Sequence, residues 1–443
     1  MFSRFFLWLL GKKEGFDMAA NRRFVRQTQY WSTQQIAQYQ NEKLQELIQH
    51  AYHHVPYYHD YFKAHGLLPE DIKTIADLSK IDVIHKIDVQ NHPEHFMADN
   101  ASEFHPIRHH TGGTTGIPFV YYNDRKSWAL NWALKMRTFE WGGYSYGIDR
   151  LGVMAGGSLT PKKNMGWKHY IWRWINNYYT MPISHMTGEI MSGYVVQLRK
   201  QKIKFLRGYP SALVTFAEYI LKNKIELSMK AVFTTAEMLY PHQRKIIESA
   251  FQCKVFDVYG CGDGMGQATE CENHKGMHVC FETSIMQMLD ANGNEVKEGD
   301  VGEIVLTSLN DYAMPLIRYA PGDMALKASS GCDCGRNMPM IEKIIGRSSD
   351  VFRLSNGRIL NGLSIPFEEL SQDLKQFQIV QESENRVVIY VIPKYDLSDV
   401  QKQSILNIIQ FHCGDGIVVE LQVVDHIEVP ISEKFRYIVS KIN

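Results

Sequence analysis

A chain of 443 residues exceeds what one hydrophobic core ordinarily supports, so two or more domains are expected. Apolar residues make up 44% and charged residues 22%, the balance of a folded soluble protein, which excludes a disordered chain. Forty-eight basic residues against forty-eight acidic ones leave a formal charge of zero, so no whole-protein field attracts nucleic acid or anionic lipid.

The N-terminal "MFSRFFLWLLGKK" has a short apolar run interrupted by Arg4, with no small-residue cleavage site behind it. It is read as a segment that packs on the body, weak contact with a membrane surface being the alternative, and no transmembrane segment is expected. The following region, to about residue 100, reads as helical. In "NEKLQELIQHAYHHVPYY", Leu44, Leu47, Ile48 and Ala51 share one face at helical spacing, and Pro56 ends the helix.

Next comes "HHTGGTTGIPFVYYNDR", from His109 to Arg125, which packs three glycines and three threonines into six residues before a β-rich stretch. Glycines let backbone N–H groups approach a ligand and point the same way, and threonine hydroxyls add donors. Thr111, Gly112, Gly113, Thr114, Thr115 and Gly116 therefore suit the oxygens of a phosphate chain. An ordinary turn fits the same composition. The nucleoside-triphosphatase pattern GxxxxGK[ST] is excluded, because no lysine lies in the loop.

From Arg150 onward, short apolar runs alternate with amphipathic helix-length segments: "RLGVMAG", "GEIMSGYVVQLRKQKI", "KFLRGYP", "SALVTFAEYILKNKI", "KAVFTTAE", "PHQRKIIESAF" and "KVFDVYG". That order predicts an α/β domain with a largely parallel central sheet. Hairpin-like strands and turn glycines from "GNEVKEGDVGEIVLTSL" to "GDMALKA" predict a β-rich subdomain at about 280–345. After "IEKIIGRSSDVFRLSNGRIL", strands at 387–391 and 417–424 around a helix near 400–411 form a compact final domain. The expected division is 1–345 and 346–443.

Six of the seven cysteines fall between Cys253 and Cys334, unlike the even scatter of a stapled secreted scaffold, so a reducing cytoplasm is expected. "ECENHKGMH" offers Cys271 and His278, and "GCDCGR" offers Cys332 and Cys334 on a glycine-flanked turn where two thiolates can face one point. Three cysteines and a histidine make a structural zinc set. His274 and Cys280 are alternative ligands, and thiols unrelated in space are the other reading.

"TGGTTGIP" resembles the phosphate loop of the adenylate-forming enzymes, the acyl-CoA synthetase and luciferase superfamily. "FTTAE" at 233–237, "VYGCGD" at 258–263, "IRYAPGD" at 317–323, "IGRSSD" at 345–350 and "ISEKFRYIV" at 431–439 follow in the order of that superfamily's later motifs. With "LQELIQHAYHHVPYY", "FLRGYPSAL" and "ATECENHKGMH", the chain resembles, over essentially its whole length, the phenylacetate-CoA ligase family, particularly its capsular polysaccharide branch.

The resemblance implies the adenylate-forming α/β fold, with a large N-terminal domain, its β-rich subdomain and a small mobile C-terminal α+β domain. It implies activation of a carboxylic acid by ATP and Mg²⁺ to an acyl- or aryl-adenylate, then transfer to a thiol such as CoA. Thr114 and Thr115 would donate hydroxyls to the phosphates within the loop from Thr111 to Gly116. Ala236, Glu237, Tyr259 and Gly260 would frame adenine, Asp323 would accept the ribose hydroxyls, and Arg347 would reach ribose or phosphate. Asp263 would hold Mg²⁺, and Lys434 would touch the transferring oxygens after a rotation about a hinge at Asp350. Members of the family with similar cysteine motifs bind one zinc between them, which implies Zn²⁺ at Cys271, His278, Cys332 and Cys334.

Three departures stand out. Ile117 occupies a position where many relatives carry lysine, Asp263 replaces a glutamate, and Glu433 sits beside Lys434. They keep two other readings open: an adenylyltransferase placing AMP on an acceptor, and a non-catalytic member assisting polysaccharide assembly. The acid itself is not specified. Phe205, Tyr209 and Phe256 hint at an aryl or short acyl group, or are simply core. The partners expected are a small carboxylic acid and a thiol acceptor, without nucleic acid, and a homodimer stays open.

Overall fold

The computed structural model describes residues 17–111, 119–155, 177–183, 186–347, 352–355, 359–360, 370, 373–427 and 437–442. The chain enters through helix Met18–Thr28, whose N-cap Asp17 accepts from the N–H groups of Ala19 and Ala20. Helix Thr33–His54 starts at a Ser32–Gln35 capping box and buries Ile36, Gln40, Leu44, Leu47, Ile48 and Ala51. It stops at Val55, and Pro56 begins a new helix, Pro56–His65, at the position where its missing N–H costs nothing. Gly66, at φ 64°, closes that helix in the left-handed region.

A 13-stranded sheet forms the body. Its parallel half runs Tyr178–Pro182, Leu151–Ala155, Phe205–Gly208, Ala231–Thr235, Lys254–Cys261. Both faces are covered, so the strands are near-continuous apolar runs; Ala231–Thr235 is buried at every position. One face packs under helices Arg125–Trp141 and Met18–Thr28 in a core containing Leu134, Phe139, Phe205 and Phe233. On the other, helices Gly188–Lys200, Pro210–Lys222 and Pro241–Phe251 enclose Leu206, Leu213, Phe216 and Val255.

The direction reverses at the hairpin joining Lys254–Cys261 to Gly266–Glu270, and the remaining neighbours on that side are antiparallel as far as strand Val301–Ser308 and its partner Tyr319–Ala320. The β-rich part therefore begins near residue 266, not near 280, and continues the same sheet. Arg137 and Glu282 form an ion pair across this junction, only 1% and 0% exposed. Thr28 donates to the same carboxylate and Arg137 also donates to the Val25 carbonyl, so both charges are paired and hydrogen-bonded.

A separate four-stranded sheet closes the chain, in the order Val418–Val423, Arg386–Pro393, Leu374–Ser383, Ile438–Ser440, with helix Asp399–Cys413 on it. Its core of Phe377, Ile379, Val387, Ile389, Ile405 and Ile409 also includes Tyr240 from the body. Among the described residues no helix is long and apolar enough to cross a membrane.

Candidate active site

Gly112 to Pro118, and with them Thr114, Thr115, Gly116 and Ile117, lie outside the described residues, as do Asp350, Glu433 and Lys434. The stem of the glycine–threonine loop is described. Strand Ile107–Thr111 pairs antiparallel with Phe119–Asn123 so that Thr111 opposes Phe119, which holds the two ends of the loop side by side. Phe119 stacks on Tyr319 with ring centres 6.1 Å apart and planes 11° from parallel. Tyr319 in turn donates to Asp263 Oδ2 at 2.8 Å.

"VYGCGD" comes against the same stem. Its strand, Lys254–Cys261, ends where a Cβ on Gly262 would lie 2.5 Å from the Tyr121 hydroxyl, so only glycine allows this approach. Asp263 is 8% exposed, and its other oxygen accepts from the Cys261 thiol at 2.9 Å. Tyr259, one turn of pleat earlier, donates to Asp323 Oδ2 at 2.8 Å. Burial, then the Asp323 charge, pushes the Tyr259 phenol well up, so it stays a donor. Gly260 is exposed, and a Cβ there would meet nothing within 4 Å, which leaves open space over the strand end.

Asp323 and Arg347 oppose each other on adjacent antiparallel strands, with Arg347 Nε 3.7 Å from Asp323 Oδ1. Ala236 is exposed just beyond strand Ala231–Thr235 with φ 71°, a left-handed conformation rare for a residue with a Cβ. The Glu237 carboxylate accepts from the Ser211 N–H at 3.0 Å, tying this turn to the start of helix Pro210–Lys222. Phe205, Tyr209 and Phe256 are buried in the core beneath helix Arg125–Trp141.

One residue here escaped the sequence reading. Lys86 opens the short helix Lys86–Asn91, with its ammonium 5.3 Å from the Phe119 ring centre. Burial holds its pKa down, while the charges of Asp263, Cys261 and Asp323 oppose that and Arg347 adds to it. It therefore shares the electrostatic environment of the whole cluster. A lone lysine in "VIHKID" carries no pattern that would have singled it out.

The cysteine motifs meet elsewhere. Ligand atoms of Cys271, His278, Cys332 and Cys334 all lie within 4.8 Å of one another. Cys271 Sγ is 3.6 Å from Cys332 Sγ, and Cys334 Sγ is 3.4 Å from His278 Nε2. Tetrahedral zinc, with bonds of about 2.3 Å to sulfur and about 2.0 Å to nitrogen, sets its ligand atoms roughly 3.5–3.8 Å apart, so the donor set fits the ion. Burial, helped by Arg336 and Arg137, pushes His278 down to about 4, which leaves its imidazole neutral. His274 and Cys280 are not in the group. His274 Nδ1 lies 3.2 Å from Glu270, and Cys280 accepts from Arg137 at 3.4 Å.

The sequence is 26% identical over 380 residues to Protein CapK of Staphylococcus aureus, covering 84% of this chain and 81% of that protein. It is 27% identical to the phenylacetate-coenzyme A ligase of Thermus thermophilus across 70% of each chain. The chain is a homologue of CapK and of the phenylacetate-CoA ligases. Residues 353–441 match the family model of the CapK C-terminal domain. Among solved structures, a 2-hydroxyisobutyryl-CoA ligase in the postadenylation state superposes with a TM-score of 0.72, covering 93% of this chain and 91% of that one at 21% identity. The O-succinylbenzoate coenzyme A synthetase of Bacillus subtilis, solved with AMP, gives a TM-score of 0.53 at 12% identity, covering 74% of this chain and 67% of that one. The fold is that of the adenylate-forming CoA ligases.

Proposed function

We propose that this protein is an AMP-forming acid–CoA ligase that joins a carboxylic acid to ATP as an acyl-adenylate and then passes the acyl group to CoA. The observation that carries the reading is the convergence of the loop stem, Asp263, Tyr259, Asp323, Arg347 and Lys86 at one end of the sheet. Homology to the phenylacetate-CoA ligases supports it. So does the position, since open α/β sheets bind ligands beyond the carboxyl ends of their parallel strands.

In this reading the Asp323 carboxylate, oriented by Tyr259, receives the ribose hydroxyls, and Arg347 reaches across from the neighbouring strand. Gly260 and the Ala236 turn leave room for adenine. The loop from Thr111 to Gly116 offers N–H and hydroxyl donors to the phosphates. Lys86 supplies the positive charge that Ile117 does not. Holding the polyanion in line for attack by a carboxylate is largely a matter of such positioning and charge.

Asp263 fits Mg²⁺, a hard cation that takes one or two carboxylates together with substrate phosphates. Tyr319 and Cys261 fix this shorter side chain from both oxygens. When bound, the ion would neutralise phosphate charge. Cys271, His278, Cys332 and Cys334 would hold one structural Zn²⁺. A cytoplasmic enzyme supplying capsule or other surface polysaccharide synthesis is the cellular role that the relation to CapK supports.

Purified protein is expected to exchange pyrophosphate into ATP only when an acid and Mg²⁺ are present. Background exchange across aryl, fatty, hydroxy, sugar and amino acids would replace this reading with the non-catalytic one. Asp323→Ala is expected to raise KM for ATP by roughly 10- to 100-fold, the loss of a charge-assisted hydrogen-bonding partner. An unchanged KM would remove Asp323 from the nucleotide site.

A further inference from the structure

Helix Arg125–Trp141 crosses the parallel sheet with Trp132, Lys135 and Phe139 at spacings of three and four residues, on one side of the helix. Arg207 stands on strand Phe205–Gly208 between Phe205 and Tyr209, and alternation puts all three on the sheet face beneath that helix. Lys135 Nζ is 4.7 Å from the Trp132 ring centre, and the Arg207 guanidinium is 5.8 Å from that of Phe139. Each cation therefore rests against an aromatic ring.

Neither rests against an acid. Burial, then the charge of Arg207, pushes the Lys135 ammonium down to about 7. Burial also lowers Arg207, opposed only by the phenols of Tyr178 and Tyr209. Among the described residues neither forms an ion pair. Buried charges are ordinarily paired or neutralised, and an anion from outside would restore the Lys135 charge beside Arg207. Both residues keep part of their surface exposed. Arg207 is in register with Phe233, the first residue of "FTTAE", close to where the candidate adenine turn begins.

We propose that Lys135 and Arg207 form the far end of the acyl pocket and select a carboxylic acid bearing a second anionic group, a dicarboxylate in the simplest case. One carboxylate would react at the nucleotide, and the other would pair with the two cations. This adds a second anionic group to the aryl or short acyl group that the aromatic residues suggest, and it rests on the ligase reading above.

The test compares acids with and without the second carboxylate in pyrophosphate exchange with the full chain: glutarate against valerate, and homophthalate against phenylacetate. The dianions are expected to give a kcat/KM about tenfold or more higher, the discrimination typical of a charge-assisted pair. Lys135→Met and Arg207→Met should each collapse that ratio, and Lys135→Arg should retain most of it. Both Met variants should melt close to wild type, since each keeps an apolar contact with its ring and loses no ion pair.

Homophthalate binding without nucleotide, measured by calorimetry on the same proteins, separates the two readings. Turnover of monoacids with no advantage for dianions overturns the dianion pocket and leaves the ligase reading standing. Homophthalate binding abolished in both Met variants, with no exchange for any acid, keeps the pocket and overturns the ligase. Absence of both effects overturns both.

Discussion

Cys332→Ser is expected to melt about 10 °C below the wild-type protein while KM for ATP stays the same. Loss of a structural metal costs on the order of 4–5 kcal/mol, and in a large unit each kcal/mol is worth about 2 °C. The side-chain cluster makes this a folding effect, because binding free energy at a metal site that exists only in the folded state is folding free energy. It joins the turn after strand Gly266–Glu270 to strand Met277–Val279 and to the Cys332–Cys334 turn. Around it, Trp141 meets His278 edge-on at 5.6 Å, Arg336 lies 4.5 Å over the Trp141 ring, and Gln29 accepts from both Trp141 and Arg336. The first helix and the β-rich strands thus share one anchor.

Nucleotide binding is spared because the two sites lie at opposite ends of one hairpin. Cys261 pairs with Gly266 beside Asp263, whereas Cys271 follows five residues later, about 16 Å along the strand. Metal analysis of untagged protein from zinc-supplemented medium should find one zinc per chain, and less in the serine variant. Metal-free wild type with an unaltered melt would end the zinc assignment.

Elements whose physics matches their pattern were legible from the sequence. The parallel strands are buried on both faces, so "AVFTT" reads as a strand without its partners. Strands Gly266–Glu270 and Met277–Val279 did not read that way, because Gln267, Thr269 and His278 are polar residues buried at 3%, 0% and 0% exposure. Local partners compensate: Gln267 donates to Thr138, and Thr269 to the Asp257 carbonyl. Strand Leu374–Ser383 was likewise hidden by its glutamines, one of which, Gln381, is fully buried and accepts from Ser440. Tyr259, Asp263 and Asp323 were found through the order of the motifs, and the folded chain brings them together. Lys86, Lys135 and Arg207 were not found, since single cations have no periodicity. A two-residue strand, Ile84–His85, paired with Tyr319–Ala320, delivers Lys86 to the cluster across more than two hundred residues of sequence.

Lys434→Ala is expected to slow adenylate formation by about 10²- to 10³-fold, the loss seen when a group stabilising developing charge is removed. The lysine is outside the described residues, but Tyr437, three positions on, packs edge-on against Tyr240 at 5.5 Å and tilted against Phe377 at 5.3 Å. Burial and then the charges of Glu237 and Glu218 raise the Tyr437 phenol, so it neighbours the turn expected to frame adenine. Transfer of the acyl group to a thiol needs the same space after pyrophosphate has left, and a small domain that rotates about a hinge near Asp350 would withdraw the lysine between the two steps. Supplying pre-formed acyl-adenylate bypasses the first step. The variant should therefore transfer the acyl group to CoA at close to the wild-type rate while failing in pyrophosphate exchange. Asp350→Pro, which stiffens the hinge, should impair turnover through both steps. Equal loss of both half-reactions in Lys434→Ala, or loss of neither, would remove this lysine from the adenylating site.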